Sequence, residues 1–222
     1  MIVRILLFFY FFHQCSVALA QLGCAGINLG QDTTIDCSQQ CITLKSSVLD
    51  VGLTTNYNIT SIPFNPPFSF NQGSPIFVNQ DDYFSTAIQL PFVFCFYGNN
   101  YNQIVVGANG LISFDISLAN AFCEWNFSQS MPNINGEPYR NSINGPYHDL
   151  DPSTGGNVRY GVLGTYPCRT FVVNFDDVPH YDCNNLRTTF QIVLYETTNI
   201  IEIYVLDKPV CNSWNSGNAV LG

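Results

Sequence analysis

Residues 91–115, PFVFCFYGNNYNQIVVGANGLISFD, constrain the fold more than any other stretch of the chain. Two runs rich in β-branched and apolar residues, 103–108 and 111–115, flank Asn109-Gly110. This pattern predicts a β-hairpin, because a type I′ turn needs two positive-φ positions and Asn-Gly reaches them at little steric cost. Just upstream, Phe92, Phe94 and Phe96 alternate with Val93, Cys95 and Tyr97. A period of two puts the three phenylalanines on one face of a strand. The segment carries no catalytic pattern.

The same alternation recurs downstream. Residues 157–163, 169–176, 188–196 and 200–206 read as strands, the last two joined by Thr197-Thr198-Asn199. Phe171, Val173 and Phe175 share a face, as do Phe190, Ile192 and Leu194, and Ile201, Ile203 and Val205. Nearer the N-terminus, Leu49, Val51 and Leu53, then Tyr57, Ile59 and Ser61, suggest two short strands. Residues 61–75 hold four prolines among recurrent phenylalanines and predict an extended boundary or edge cover. Residues 76–79 and 85–90 lead into the hairpin around an Asp81-Asp82 corner. SLANAF, 117–122, is the one stretch with a helical look. Cys123, Trp125 and Phe127 then share a face of an expected strand, and 128–146 is a long loop. Short strands, Gly/Pro/Asn turns and no internal repeat predict an all-β, antiparallel β-sandwich stabilised by disulfides.

Residues 1–20 carry Arg4, an apolar run over 5–12 and Ala18-Leu19-Ala20, the pattern of a secretory signal peptide. Residues 21–62 then form an N-terminal strand segment with clustered cysteines, and 63–222 the sandwich domain. No later apolar stretch approaches the roughly 18 residues of a membrane-spanning helix. The expected location is secreted or cell surface. Residues 219–222 read as a strand cut short, so the chain is expected to be a fragment of a longer protein.

The chain holds 7 basic and 16 acidic residues; without Arg4 the balance is 6 − 16 = −10, spread with no block of like charge. Nucleic-acid binding, which needs a basic footprint, is excluded as a reading. Nine cysteines less Cys15 leave eight, an even count that reads as disulfides in an exported chain. Cys95 with Cys123 and Cys183 with Cys211 are the expected pairs, each bracketing strand-rich segments. The partners of Cys24, Cys37, Cys41 and Cys168 stay open.

The motifs FCFYGNNYNQIVVGANGLISFD, NSINGPYHDLDPSTGGNVRY, TFVVNFDDVPHY and TTFQIVLYETTNIIEIYV, in that order, resemble the nidogen-like extracellular domain over residues 92–222. Residues 146–149, Pro-Tyr-His-Asp, depart from an aromatic Pro-Phe-Trp stretch common in that family. With CAGINLGQDTTIDCSQQC, SIPFNPPFSFNQGSPIFVNQDD and CNSWNSGNAVLG, the chain is also similar to the N-terminal part of large surface proteins of gliding Bacteroidetes. Those proteins are exported by the type IX secretion system through a gliding-motility-associated type B sorting domain, which would lie beyond Gly222. The resemblance implies surface location and an adhesive class.

Two constellations carry chemistry. Asp149, Asp151, Ser153 and Asn157 place oxygens at alternating positions in a Gly-bearing loop, a pattern able to wrap calcium. Arg159 and Tyr160 stand where an EF-hand would carry its late glutamate, so the bland alternative is a turn capped by Asp149 and Asp151. Acid–base hydrolysis would need two carboxylates facing one cleft, and Asp149, Asp151, Asp176 and Asp177 are available, with His148 and His180 nearby in sequence. No GxSxG elbow or P-loop accompanies them, so no catalytic residue is assigned. Trp125, Tyr139, Tyr147, Tyr181 and Trp214 lie in or beside loops and offer stacking faces for sugars, with Trp125, Tyr147 and Trp214 the leading candidates. Asn58-Ile59-Thr60 and Asn126-Phe127-Ser128 match the glycosylation sequon, relevant only in a eukaryotic host. The expected function is a non-enzymatic adhesion or display module meeting an extracellular protein or glycan. A carbohydrate-binding module and a calcium-dependent or acid–base hydrolase are its rivals.

Overall fold

The computed structural model describes residues 27–28, 34–35, 38, 41–43, 45–48, 54–76, 80–126 and 140–222. Over these it is almost wholly β. The strands are β1 (Ile27–Asn28), β2 (Ser47–Val48), β3 (Ser74–Pro75), β4 (Ile88–Phe96), β5 (Asn99–Gly107), β6 (Leu111–Ser113), β7 (Ser142–Asn144), β8 (Asn157–Leu163), β9 (Thr170–Pro179), β10 (Arg187–Tyr195) and β11 (Ile201–Asp207). One sheet runs β11-β10-β9-β8-β3 and the other β4-β5-β6-β7, while β1 and β2 pair separately. Every ladder is antiparallel. No helix among the described residues is long and apolar enough to cross a membrane.

The two large sheets share one core. Phe171, Val173 and Phe175 of β9 meet Phe190, Ile192 and Leu194 of β10, together with Phe92, Phe94 and Phe96 of β4. The Phe175 and Phe190 rings stack with centroids 4.4 Å apart. Between the buried phenylalanines of β4, Val93 stays 58% exposed, as the alternation predicts. Strands β9 and β10 are covered on both faces, since Val172, Val193, Tyr195 and Tyr204 form a second apolar layer beneath Phe68. The proline-rich segment is therefore more than an edge cover. Besides placing β3 on the sheet edge, it lies across the outer face, where Asn174 Nδ2 donates to the carbonyls of Ser69 (3.2 Å) and Gln72 (3.1 Å). Gln191 Nε2 donates to the Phe68 carbonyl beside them.

Several expectations change in detail. The central hairpin closes with three residues, not two: Gly110 N–H donates to the Gly107 carbonyl at 3.1 Å, and Gly110, at φ 94°, is the loop's one positive-φ position. This is the longer turn in which a left-handed glycine follows a type I bend. SLANAF supplies only the end of a single 3₁₀ turn, Ile116–Leu118, with Asp115 Oδ1 capping Ser117 N–H at 3.0 Å. Residues 123–126 are not a strand, and β7 lies within the expected long loop, whose residues 127–139 are outside the described set. Tyr57, Ile59 and Ser61 form no strand; Tyr57 instead packs its ring on Phe96, 5.4 Å away, and donates its hydroxyl to the Cys95 carbonyl at 3.1 Å. Leu49, Val51 and Leu53 lie outside the described residues.

The cysteines also divide. Cys183 and Cys211 are bridged, with Cα atoms 6.0 Å apart. Cys95 keeps a free thiol, so the expected bond to Cys123 is not made. Cys95 sits on β4 under Thr54, whose N–H points to Sγ at 3.3 Å, whereas Cys123 packs in a separate cluster with Phe84, Val105, Leu111 and Tyr147. Strand bracketing does not bring thiols together when the strands enter different clusters. Cys41 is a free, exposed thiol and Cys168 is disulfide-bonded, while Cys24 and Cys37 lie outside the described residues.

Gly145 measures how tightly the sandwich closes at this end. A Cβ there would meet Phe190 Cε2 at 2.2 Å and the Gly110 carbonyl oxygen at 2.9 Å. Gly145→Ala is expected to cost about 1–3 kcal/mol by overpacking, read as a lower urea midpoint at unchanged m-value.

Candidate functional site

The site lies where the 148–151 segment crosses the end of the sandwich, and Asn109 puts it there. This side chain is fully buried in the hairpin loop. Its Nδ2 donates to Asp82 Oδ1 (2.8 Å) and to the Cys123 carbonyl (2.9 Å), and its Oδ1 accepts Leu150 N–H (2.9 Å). Its carbonyl accepts His148 N–H at 3.2 Å. One residue thus ties the hairpin to the Asp82 corner and brackets Asp149 on both sides. From the other direction, Asp151 N–H donates to the Pro179 carbonyl (2.8 Å) and Tyr181 N–H to the Asp149 carbonyl (3.2 Å), so the segment is fastened to the end of β9.

Beneath that crossing lie two histidines. His148 and His180 are buried with ring centroids 4.4 Å apart, and both direct Nε2 at Thr188 Oγ1, at 3.3 and 2.7 Å. A hydroxyl has one proton, so one ring accepts it while the other donates its own N–H to the oxygen. Burial lowers the pKa of both, and the nearby Lys208 ammonium lowers it further; His180 falls to about 4 and His148 well below its ordinary value, with the His180 ring adding to the effect there. The pair is neutral at pH 7. Asp149 behaves in the opposite sense. Burial raises its pKa to about 7, with repulsion from Asp82, Asp81 and Asp151 adding to it and the Trp214 indole N–H, 2.7 Å from Oδ2, opposing it. Burial and the same neighbours bring Asp81 to about 7 as well.

Above the carboxylate stand three aromatic side chains. Trp214 lies between Trp125, at 5.4 Å, and Tyr181, at 4.9 Å, which is 41% exposed. The Cys183–Cys211 bridge ties the loop after Tyr181 to the chain just before Trp214. Tyr147 is not part of this surface. It is fully buried, its hydroxyl donating to the Glu124 carbonyl at 2.7 Å, and its backbone pairs with Val220. Residues 145–152 are all buried, so the stretch around Tyr147 presents no exposed face. Tyr139 lies outside the described residues.

A small cleft opens at the foot of Trp214, lined by His148, Asp149, His180, Lys208, Trp214 and Asn215 among others. Asp149 Oδ1 and Asn215 Nδ2, both buried, have no hydrogen-bond partner. Lys208, Thr188 and Asn215 have no sequence signature of their own. Only the fold assembles them.

Most of the oxygens expected around calcium take part in local hydrogen bonds, Asp149 Oδ1 excepted. Asp151 Oδ1 accepts Ser153 N–H (2.9 Å) and Ser153 Oγ–H (2.5 Å), Asn157 Oδ1 accepts from Arg159 (3.0 Å), and Asp149 turns to Trp214. This is a side-chain-capped turn of the kind acidic residues make. Among the described residues, no group of three His, Cys, Asp or Glu side chains is placed to hold a metal ion. The carboxylates considered for hydrolysis do not converge on the cleft either. Asp176 pairs in the β8–β9 ladder, Asp177 N–H donates to Thr189 Oγ1 (2.9 Å) with its carboxylate 3.7 Å from Arg187, and only Asp149 lines the cleft.

Two predictions follow from this geometry. Asn109→Ala strands buried partners on three segments and is expected to cost about 3 kcal/mol or more in urea denaturation. For the histidines, a folded-state pKa below the unfolded value of about 6.5 means the unfolded chain binds protons first, so stability falls as pH drops below about 6.5. Asp149 and Asp81, raised to about 7, take up protons in the folded state between pH 7 and their ordinary range, so their contribution rises as pH falls. The two effects offset each other in the wild type. Removing one histidine with His180→Gln is expected to make the pH 5 stability, relative to pH 7, about 2 kcal/mol more favourable than in the wild type.

The sequence matches the family described as NIDO related over residues 56–222. No curated protein and no solved structure shows significant similarity to the chain. With more than half of its length matched, including both large sheets and the whole of this site, the chain belongs to the NIDO-related family of nidogen-like domains.

Proposed function

We propose that this domain is a non-enzymatic recognition module of a secreted or cell-surface protein, acting in adhesion or display. Its nidogen-like family supports an extracellular module. The observation that carries the reading is the Trp125–Trp214–Tyr181 cluster at one end of a rigid sandwich, locked from below by Asp149 and from the side by the Cys183–Cys211 bridge. Aromatic anchors held on a preorganised surface suit binding, since little side-chain entropy remains to be lost. Catalysis finds less support. Both histidines are committed to Thr188 under the surface, and the one hydroxyl they share is fully buried.

In this reading the module belongs to a larger surface protein, and the parent resembled in sequence is a type IX-exported protein of gliding bacteria. Asn58 and Asn126, the two sequon asparagines, are exposed, so their state in the native protein discriminates the host. Unmodified asparagines by peptide mass mapping are expected for bacterial export. Glycan on either one would remove the bacterial parent and leave the extracellular module in place.

The module reading is tested by binding of the purified, oxidised chain to cell surfaces and extracellular matrix. Saturable binding reduced by Trp214→Ala is expected. A folded chain that binds nothing is a structural spacer.

A further inference from the structure

Asp149 and Asn215 both line the cleft beside Trp214, and each carries an unpartnered polar atom, the two of opposite kind. Asp149 Oδ1 is an acceptor without a donor, on a residue only 4% exposed, and Asn215 Nδ2 is a donor without an acceptor. Buried polar atoms left unpaired are costly, so such a pair in a native fold calls for an occupant. The enclosed part of the cleft is the size of one water molecule. What fills it must donate a proton to a carboxylate and accept one from an amide in that space. A hydroxyl group does both.

The surroundings decide what carries the hydroxyl. Trp214 forms one wall of the cleft and continues into the Trp125 and Tyr181 faces, so a hydroxyl entering there brings its parent molecule against aromatic rings. Lys208 lines the same cleft and supplies a further donor. Asn215, Ser216 and Gly217 take φ of 44°, 53° and 68°, a left-handed run that non-glycine residues adopt only at a cost. That turn delivers Asn215 to the cleft. A flat, C–H-faced ring bearing adjacent hydroxyls matches the aromatic wall and the polar floor together.

We propose that this cleft is a carbohydrate subsite in which one hydroxyl of a pyranose inserts between Asp149 Oδ1 and Asn215 Nδ2 while the sugar ring packs on Trp214 and Tyr181. The proposal rests on the recognition-module reading and names its ligand class. A sugar binds here through the ring and two or three polar contacts, so a single monosaccharide binds in the millimolar range and a longer glycan more tightly. Asp149 acts twice, holding Trp214 in place through Oδ2 and receiving the hydroxyl through Oδ1.

The chain has two tryptophans, and both are at this site, so intrinsic tryptophan fluorescence reports on it alone. The oxidised full chain is titrated with glucose, galactose, mannose and N-acetylglucosamine, then with an array of oligosaccharides built from them. A saturable fluorescence change with at least one of these sugars is expected, weakened about tenfold or more by Asn215→Ala and by Tyr181→Ala. Neither residue is in the core, so circular dichroism and melting temperature serve as controls for folding. A flat response to every sugar from folded protein overturns the proposal and leaves the cleft to an ordered water. Binding that survives both substitutions overturns the placement. Cell-surface binding that free sugars do not compete and that Asn215→Ala leaves intact points to a protein partner, overturning the sugar subsite while keeping the module reading; loss of both activities overturns the two together.

Discussion

A single buried amide side chain holds the cleft-bearing end of this domain together. Asn109 uses both of its amide protons and its oxygen inside the fold, joining the Asp82 corner, the Cys123 segment and Leu150. Buried polar groups stabilise a unique arrangement when every valence is met, because any shift leaves a desolvated donor or acceptor behind. The 148–150 segment cannot slide without breaking the bonds to Asn109 and those to the end of β9. Asp149, between two anchored neighbours, inherits that rigidity.

The electrostatics of the site follow from this packing. Two histidines and a carboxylate are buried within one small volume under a domain of net negative charge. The histidines meet the cost by remaining neutral and sharing Thr188, and the carboxylate by binding the Trp214 indole. Perturbed titration of this sort marks catalytic sites in many proteins, but it arises equally where polar groups are buried to support a surface. Here the polar layer lies directly below three aromatic side chains. Under the proposed recognition reading, support of the aromatic face accounts for this polar layer.

The outer face of the β9–β10 sheet uses the same device. There too, buried amides reach out of the sheet, Asn174 and Gln191 tying down the proline-rich segment over Phe68. At both places a polar side chain projecting from regular structure fixes a segment that has no ladder of its own. Polyproline-rich chain forms few internal hydrogen bonds, so it depends on such outside donors. The Cys183–Cys211 bridge does covalently for the Trp214 segment what these amides do for residues 68–75.

Alternation of apolar residues was enough to reveal the sandwich. Phe171, Val173, Phe175, Phe190, Ile192 and Leu194 occupy the core faces that a period of two assigns them, and β8 spans the residues 157–163 that read as a strand, because burial of one strand face is a local pattern. The aromatic character of the loops was legible too, in Trp125, Tyr181 and Trp214. What only tertiary structure decided is which of those residues meet. Tyr147 is core and Tyr181 is surface, Cys95 is reduced while Cys183 is bridged, and Asp149 hydrogen-bonds the Trp214 indole. The hairpin asparagine, legible only as a turn residue, acts through its side chain on segments more than a dozen residues away. Strand faces are set by neighbours along the chain, whereas a site is set by the loops between strands, and loops meet according to how two sheets stack.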